Sequence, residues 1–206
     1  MGIYGDHIFP RLMDGGLSGA QHRTLRERAL SRARGSVLEI GFGTGLNLNC
    51  YPPDVARLVG IDRQTMLERR VAGRISRAPF PVERVQQDAA DRLPFDDGSF
   101  DTIVSTWTLC SIDRLRAALL ELRRVMHPDG AFLFLEHGRS DRTLAATLQD
   151  AANPLQNIVA CGCNLNRKID SEIQDAGFKI IEFERFKVAG VPRIFGEVYE
   201  GVATHA

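Results

Sequence analysis

The stretch VLEIGFGTG, residues 37–45, decides the fold of this 206-residue chain. An apolar run typical of a buried parallel strand leads directly into three alternate glycines, Gly41, Gly43 and Gly45. Glycine adopts positive φ without steric cost and leaves no Cβ in the way, so the backbone can pass close to a ligand. Ligands of open α/β sheets bind beyond the carboxyl ends of the strands. The stretch therefore predicts a strand, a ligand-binding loop and a helix in succession.

Further apolar runs continue this alternation along the chain. Apolar residues at spacings of three and four predict helices over about 113–126 and 166–176, and HPDG (127–130) predicts a turn after the first of them. Alternating units followed by two consecutive strands favour an α/β, Rossmann-like doubly wound sheet of about seven strands, mostly parallel with an antiparallel edge strand. The predicted strands cover 36–40, 57–61, 82–86, 101–105, 131–136, 178–188 and 196–203.

Length and composition limit the class of protein. With 44% apolar and 25% charged residues, the chain has the composition of an ordinary soluble globular protein. Its length suits one domain over residues 1–206, because cores usually divide only beyond about 250–300 residues. Residues 1–35 do not fit the alternation and are interpreted as an N-terminal helical segment or lid. The arginines of that segment predict a solvated helix face: Arg23, Arg26, Arg28, Arg32 and Arg34.

Charge and cysteine usage limit the partners and the compartment. Lys+Arg and Asp+Glu both number 26, so no net field attracts nucleic acid, and we expect no nucleic-acid partner. No apolar stretch reaches the ~18–20 residues of a transmembrane segment, and no signal peptide is recognisable. Four unevenly placed cysteines do not make a disulfide framework. We expect a cytoplasmic protein; peripheral membrane contact and the oligomeric state stay open.

The spacing of the glycine loop distinguishes two classes of ligand. The dinucleotide fingerprint G-x-G-x-x-G/A places a small residue at position 46, where this chain has Leu46, and Gly45 comes one position early. Glu39, two residues before the first glycine, suits a cationic ligand better than a pyrophosphate. The pattern E-x-G-x-G-x-G resembles motif I of the class I S-adenosylmethionine-dependent methyltransferases. A nicotinamide-dependent oxidoreductase and a non-catalytic cofactor-binding regulator stay open as alternatives.

Other segments extend the resemblance to roughly residues 36–137. LPFDDGSFD (93–101) and LRRVMHPDGAFLFLE (122–136) resemble blocks of the same family, although Asp129 replaces the first glycine of a Gly-Gly pair. Asp62 follows the second strand, where an acidic side chain can accept hydrogen bonds from ribose hydroxyls. The resemblance implies S-adenosylmethionine as cofactor, S-adenosylhomocysteine as product, and these cofactor-binding residues: Glu39, Gly41, Phe42, Gly43, Gly45, Asn47, Asp62, Arg63, Asp88, Ala89, Thr106 and Trp107.

Four segments outside the cofactor loop bear on the methyl acceptor. TLCSI (108–112), FLEHG (134–138), GCNLNR (162–167) and NCYPPDV (49–55) resemble segments of the small alkyl thiol S-methyltransferases. The resemblance implies a small-molecule acceptor and favours a thiol. Bacterial phospholipid N-methyltransferases share the glycine loop and the YPP segment, so N-methylation of an amine or a phospholipid head group stays open.

Three residues are candidates for the chemistry of methyl transfer. A thiol with a pKa near 8.5 must lose its proton before it attacks the sulfonium methyl group. His137 ends the fifth strand and titrates near neutrality, so it is a candidate base, with a structural histidine as the alternative. Because neighbouring residues of a strand point to opposite faces, only one of Glu136 and His137 should face the pocket. Asn164 is expected to order a pocket turn, and Arg167 to stabilise a thiolate.

The cysteines are interpreted as pocket wall. Cys110 and Cys163 are assigned to the substrate pocket as small side chains, since methyl transfer needs no covalent enzyme intermediate. Cys161 and Cys163 form C-x-C with no second Cys/His pair nearby in the sequence, whereas structural zinc uses four ligands and C-x₂₋₄-C spacing. No metal is therefore predicted. For Trp107, cofactor contact and core packing stay open.

Overall fold

The computed structural model describes residues 4–63 and 68–206, with only the backbone described at positions 6, 7 and 68. Residues 1–3 of the predicted N-terminal segment lie outside these ranges, as do residues 64–67. The helices of the described chain are α1 Phe9–Leu17, α2 Ala20–Leu30, α3 Glu68–Ile75, α4 Leu115–Val125, α5 Thr143–Val159, α6 Ile169–Asp175 and α7 Arg193–Gly196. The strands are β1 Gly35–Ile40, β2 Val55–Asp62, β3 Val82–Gln86, β4 Phe100–Thr106, β5 Met126–His137, β6 Phe178–Lys187 and β7 Glu197–His205.

The strands of the described residues form one sheet in the order β3-β2-β1-β4-β5-β7-β6. Neighbouring strands from β3 to β5 pair in parallel, whereas β7 pairs antiparallel with both β5 and β6. The predicted doubly wound sheet is confirmed. The antiparallel strand was predicted at the edge, whereas β7 lies one place in, between β5 and the edge strand β6. This order reverses between β1 and β4, and ligands of such sheets bind at that switch point.

The helix predicted over 113–126 is confirmed as α4. Every apolar residue of its predicted stripe is buried: Leu115, Ala118, Leu119, Leu122 and Val125. The turn predicted at HPDG between α4 and the next strand is wrong. β5 begins at Met126, directly after α4, and HPDG lies within this strand. Phe100 pairs with Met126 and Thr102 pairs with Ala131, so residues 127–130 form a bulge opposite a single residue of β4. The four residues bend the strand without ending it.

The basic face of α2 divides between solvent and the protein interior. Arg28 makes a 2.5 Å ion pair with Glu200, and Arg32 makes one with Glu182, so exposed arginines attach α2 to β7 and β6. Arg26 departs from the predicted solvated face, because it is buried and its guanidinium donates to the Leu17 carbonyl at 2.7 Å. None of the described helices is long and apolar enough to cross a membrane.

Gly60 of β2 lies against the ring of Phe42, so close that a Cβ at this position would overlap the ring. We expect Gly60→Ala to lower the free energy of unfolding by about 1–3 kcal/mol, the usual cost of overpacking a core. Gly73 of α3 has open space around its Cα, and Gly73→Ala should instead stabilise the protein by about 0.5–1 kcal/mol. Urea unfolding of the two variants measures both effects. A Gly60→Ala variant as stable as the wild type would contradict the packing argument.

Candidate active site

A cavity of about 450 Å³ opens over the carboxyl ends of β1 to β5. It is lined by the glycine loop after β1, by the ends of β2 and β3, and by the segment after β4 that includes a 3₁₀ turn, Leu109–Ser111. His137 at the end of β5, the α5–α6 connection, residues between Val188 and Val198, and parts of α1, α2 and α5 complete the wall. This is the edge of the sheet at which the sequence predicts the ligand.

The glycine loop is held in the conformation that its sequence requires. Gly41, Gly43 and Gly45 all have positive φ, at 68°, 54° and 74°. A Cβ on Gly41 would collide with the side chain of Thr108. The Gly43 amide donates to Asp62 Oδ2 at 2.8 Å, so the loop is tied to the end of β2. The loop therefore presents bare backbone to the cavity.

Glu39 is buried at the floor of the cavity within a network of polar side chains. Its two carboxylate oxygens accept hydrogen bonds from Asn47 Nδ2 at 3.0 Å and from the Tyr51 hydroxyl at 2.7 Å. Burial raises the pKa of Glu39 to about 7, although both hydrogen bonds act in the opposite direction. Asn47 also donates to Thr106, while its Oδ1 is buried with no hydrogen-bond partner among the described residues. The floor thus offers a titrating carboxylate and an unused acceptor.

The N-terminal helices cover one side of the cavity. Phe9 and Met13 of α1 line it, whereas Leu12 is exposed. Asp14 is buried and accepts from Thr44 Oγ1 of the glycine loop at 2.5 Å. The same carboxylate is also paired with two arginines of α3, Arg70 at 2.6 Å and Arg74 at 2.7 Å. These contacts fasten α1 to the glycine loop.

Arg26 of α2 is a cavity residue that the sequence analysis assigned to a solvated face. It lines the cavity, and its Nε is buried without a hydrogen-bond partner among the described residues. Helical spacing distinguishes it from the arginines at 23, 28 and 32, because Arg26 stands three and four residues before Ala29 and Leu30 and so shares their buried face. It adds a buried cation to the cofactor side of the cavity.

Asp88 and Arg63 stand together where β2 and β3 end. Asp88 Oδ1 accepts from the Ala90 amide at 2.9 Å, and its Oδ2 lies 3.6 Å from Arg63 Nε and 3.8 Å from an Arg114 nitrogen. These contacts fix the carboxylate at the cavity wall, next to Ala89.

Trp107 follows β4 in a conformation that is unusual for its residue type. Its φ is 57°, and non-glycine residues with positive φ concentrate at functional sites. The indole packs edge-on against His22 with ring centroids 5.8 Å apart, and its Nε1 is buried without a partner among the described residues. Trp107 lines the cavity and also packs against the cluster of Ala29, Leu135, Val188 and Val198, so the strained turn places the residue between the cavity and the core.

The last two residues of β5 face opposite sides of the sheet, as predicted. Glu136 is fully buried and accepts from Ser105 Oγ at 2.6 Å and from the amides of Thr108 and Leu109. It therefore fixes the loop after β4. His137 lines the cavity instead, and its Nε2 lies 2.8 Å from Cys163 Sγ.

Cys110, His137 and Cys163 form a cluster that the sequence does not reveal. The Sγ atoms of Cys110 and Cys163 lie 3.5 Å apart, and the ligand atoms of all three residues lie within 4.8 Å of one another. Contact with Cys110 and burial both raise the pKa of Cys163, which keeps its thiol protonated. The prediction of no metal rested on the absence of a second Cys/His pair nearby in the sequence. The fold adds what the sequence does not show, because β4 and β5 bring Cys110 and His137 to Cys163 from distant parts of the chain.

Asn164 and Arg167 hold this cluster together from outside the cavity. Asn164 Nδ2 donates to the Cys110 carbonyl at 3.0 Å, and its Oδ1 accepts from Asn153 and Asn157 of α5. Arg167 donates to the Leu109 carbonyl at 2.5 Å. Arg167 was expected to stabilise a thiolate. Its guanidinium instead binds the Leu109 carbonyl, and Arg167 is not among the described residues that line the cavity. Asn164 binds the carbonyls of Gly162 and Cys110 and so orders the turn at Gly162, but it is likewise not among the described residues that line the cavity.

Most of the predicted site residues meet in the one cavity. Gly45 does not line it, because its Cα faces Leu48 and the ring of Phe42. Phe42 packs on Gly60 as well as lining the cavity. The predicted residues that line the cavity are Glu39, Gly41, Phe42, Gly43, Asn47, Asp62, Arg63, Asp88, Ala89, Thr106, Trp107, Cys110, His137 and Cys163.

Comparison with known proteins agrees with the fold and the site. Residues 38–134 match the family model of a methyltransferase domain. The chain is 31% identical to the human thiol S-methyltransferase TMT1A over 166 residues, which cover 79% of this chain and 68% of that protein. It is 28% identical to the phosphatidylethanolamine N-methyltransferase of Cereibacter sphaeroides over 159 residues, covering 76% and 77% of the two chains. The chain thus spans only about two thirds of the length of the human relative.

A solved structure shares the whole architecture. The 1,6-didemethyltoxoflavin-N1-methyltransferase of Burkholderia thailandensis, with bound acceptor and S-adenosylhomocysteine, superposes with a TM-score of 0.68 at 16% identity. The overlap covers 96% of this chain and 84% of that one. This likeness shows the fold, and the 31% identity to a curated methyltransferase shows the class of protein. The chain belongs to the S-adenosylmethionine-dependent methyltransferase family, and S-adenosylmethionine is its cofactor.

The residues of the cavity fit this cofactor. The cofactor carries an ammonium group, a carboxylate, a sulfonium and a nucleoside. The buried Asn47 Oδ1 and Trp107 Nε1 offer an acceptor and a donor that the described residues leave unused. Glu39 and Arg26 add buried groups of opposite charge, and Asp62 stands at the end of β2. Each kind of group on the cofactor therefore has a complementary partner in the lining.

Proposed function

We propose that this methyltransferase transfers the methyl group of S-adenosylmethionine to the sulfur of a small apolar thiol. The observation that supports the proposal is that the described cavity wall is divided into a charged half and a half without carboxylates or guanidinium groups. Every carboxylate and guanidinium among the described lining residues belongs to α1, α2, β1 or β2, or follows β2 or β3. The half over β4 to β7, the apolar half, has no carboxylate or guanidinium among the described residues. Besides cysteines, His137 and the polar Thr106, Thr108, Ser111 and Gln156, it is lined by these apolar side chains: Trp107, Ile112, Ala160, Leu165, Val188, Val191, Phe195 and Val198.

The charged half would hold the cofactor. Asp62 would accept hydrogen bonds from the ribose hydroxyls, and Asp88 would receive the adenine amino group, in the positions that this family uses. Glu39 and the unused Asn47 Oδ1 would bind the ammonium group of the methionine moiety, and Arg26 its carboxylate. Backbone at Gly41 and Gly43 would pass beneath the sulfonium. The methyl group would then point toward the apolar half of the cavity.

The apolar half suits a thiol better than a phospholipid head group. A head group brings a phosphate, which proteins bind with arginine, lysine or backbone amides. The described lining offers no guanidinium or ammonium over β4 to β7. A thiol needs only an apolar wall and a means of losing its proton, and the 31% identity to a thiol S-methyltransferase supports the same acceptor.

The chemistry that the site must supply is modest. The sulfonium is already an activated leaving group, so the main contribution is to hold the acceptor sulfur about 3–3.5 Å from the methyl carbon and in line with the departing sulfur. The acceptor must reach this position as a thiolate, because the thiolate is the nucleophile. His137 stands in the acceptor half, where the thiol proton has to be removed.

N-methylation is the second candidate function, supported by the 28% identity to a phosphatidylethanolamine N-methyltransferase along most of both chains. An amine acceptor would also have to lose a proton before it attacks. The two candidates therefore differ in the acceptor atom and in the polarity of the acceptor wall.

The acceptor is tested by transfer of a labelled methyl group to matched thiols, amines, phenols and phosphatidylethanolamine vesicles. We expect an alkyl thiol to exceed the corresponding amine by at least ~10-fold in kcat/KM, the discrimination that a well-matched pocket gives. His137→Ala should lower the thiol rate by about 100-fold at neutral pH if it assists proton removal. His127→Ala, at the opposite end of β5, is the control and should leave the rate unchanged. Labelled phosphatidylethanolamine in place of labelled thioether would refute S-methylation.

A further inference from the structure

The Cys110, His137 and Cys163 cluster is assembled from three separate segments. Cys110 lies in the 3₁₀ turn after β4, His137 ends β5, and Cys163 stands in the α5–α6 connection. Each segment is fixed from behind the cavity: Glu136 binds amides of the loop after β4, and Asn164 binds the Cys110 carbonyl. The three side chains therefore converge on a rigid frame, with Cys110 and Cys163 buried and His137 half-buried.

The separations within the cluster suit a tetrahedral metal ion. With Zn–S bonds of about 2.3 Å and Zn–N bonds of about 2.0–2.1 Å, two sulfur ligands stand roughly 3.8 Å apart and a sulfur and a nitrogen roughly 3.5 Å apart. The Cys110 and Cys163 sulfurs lie 3.5 Å apart, His137 Nε2 lies 2.8 Å from Cys163 Sγ, and no ligand-atom pair exceeds 4.8 Å. Both measured separations are somewhat shorter than a bound ion requires, so side-chain rotations that widen the cluster would be needed to seat an ion.

We propose that Cys110, His137 and Cys163 bind one Zn²⁺ ion, and that its fourth coordination position faces the cavity and receives the sulfur of the methyl acceptor. Two thiolates and an imidazole are ligands that zinc prefers, and three protein ligands with one open position are the pattern of catalytic rather than structural zinc. All three residues line the cavity that holds the glycine loop. The ion therefore lies in the apolar half of the wall, on the acceptor's side.

This inference rests on the proposed thiol acceptor and gives it a means of activation. On binding the ion, Cys110 and Cys163 each release a proton to solvent, because zinc coordinates thiolates. The acceptor R–SH then binds at the open position as R–S⁻ and releases its own proton to solvent, since a coordinating thiol is deprotonated. His137 acts here as a ligand through Nε2.

The transfer step balances without any further reactant. The acceptor sulfur forms a bond to the methyl carbon, and the carbon–sulfonium bond breaks with its electron pair moving to the cofactor sulfur. The cofactor leaves as neutral S-adenosylhomocysteine. The product R–S–CH₃ is a neutral thioether, a weaker zinc ligand than a thiolate, and it leaves the open position to the next acceptor.

Metal content tests the site without reference to turnover. Protein purified under reductant, loaded with zinc and then dialysed should retain one zinc per chain. Cys110→Ser, Cys163→Ser and His137→Ala should each reduce retained zinc to background. Cys50→Ser is the matched control: it removes a buried free cysteine outside the cavity lining, and its zinc content should equal that of the wild type. Zinc content unaffected by all three cluster variants, or near zero in the wild type, would overturn the proposal.

Two further measurements keep the test decisive. Binding of S-adenosylhomocysteine shows which variants have folded, since the cofactor half of the cavity is untouched by the substitutions. Cobalt(II) added to metal-free wild type should give thiolate-to-metal charge-transfer absorption, and its ligand-field bands should shift when an alkyl thiol is added. A cobalt spectrum without thiolate charge transfer contradicts the site even if a cluster variant fails to fold.

The activity of the metal-free enzyme separates this inference from the proposed function. At pH 7 a free thiol of pKa 8.5 is only about 3% thiolate, so removing zinc should slow thiol methylation by up to ~30-fold, and adding zinc back should restore it. If thiols are methylated at the full rate by zinc-free enzyme, activation of the acceptor by the ion is wrong and S-methylation stands. If zinc is held by the cluster but amines are the acceptors, S-methylation and coordination of the acceptor sulfur are both wrong, and only the three-ligand site stands.

Discussion

Asp62→Ala should weaken S-adenosylmethionine binding by at least about 100-fold. A carboxylate that accepts hydrogen bonds from two ribose hydroxyls contributes roughly 1.5–3 kcal/mol for each, so losing both costs about 3–6 kcal/mol. Asp62 Oδ2 also accepts from the Gly43 amide at 2.8 Å, and the substitution would loosen the loop beneath the cofactor as well. Calorimetric titration with S-adenosylhomocysteine, which keeps the ribose, measures the loss without turnover.

The control for Asp62 is Asp129→Ala. Asp129 is exposed in the bulge at the start of β5, at the other end of the sheet from the cavity. Its removal changes the net charge by the same amount and should leave cofactor affinity unchanged. If Asp62→Ala binds S-adenosylhomocysteine within twofold of the wild type, the ribose is bound elsewhere, and the proposed seating of the cofactor is wrong.

S-adenosylmethionine should bind about tenfold more tightly at pH 8 than at pH 6, and Glu39 should be the reason. Burial raises the pKa of Glu39 to about 7, so the free enzyme carries mostly the neutral acid at pH 6 and mostly the carboxylate at pH 8. A cationic cofactor stabilises the carboxylate, and binding therefore releases a proton below pH 7. Linkage then requires affinity to rise with pH through that range and to level off above it.

Several charged groups share this environment, and one variant isolates Glu39 from them. Tyr51 and Asn47 donate to Glu39, and the charges of Arg26 and Asp62 act on its pKa in opposite directions. Glu39→Gln keeps the size of the side chain and one acceptor oxygen but cannot titrate. The ligand's own amino group and Glu136 titrate equally in both proteins. Any difference between the two proteins in how affinity changes with pH is therefore due to Glu39. An identical pH dependence in Glu39→Gln would show that this carboxylate does not meet the cofactor's charge.

The cofactor half of the site could be predicted well from the sequence because its residues are local. Gly41 and Gly43 follow directly on β1, Asp62 is the last residue of β2, and Asp88 comes just after the end of β3. In a parallel sheet these ends lie along one edge, so a correct strand assignment brings the residues together. Their individual roles toward the cofactor stay predictions, tested by the variants above.

The acceptor half was harder to predict because its residues depend on packing between distant segments. GCNLNR could be matched to a family, but the matching did not show that Asn164 and Arg167 would bind backbone carbonyls outside the cavity lining. Arg26 was grouped with the exposed arginines by residue type, although it shares a helix face with Ala29 and Leu30 and is buried with them. HPDG has the composition of a turn, yet the pairing of Met126 with Phe100 makes it a bulge within a strand.

By itself the sequence determined the doubly wound sheet, the strand–glycine loop and the class of cofactor. Hydrophobic periodicity and glycine spacing are local properties, and the parallel direction of β1 to β5 places the carboxyl ends of these strands at one edge. Only the tertiary structure decided that Cys110, His137 and Cys163 form one cluster. Their positions 110, 137 and 163 are separated by whole elements, and their ligand atoms come within 4.8 Å only after β4, β5 and the α5–α6 connection have packed together.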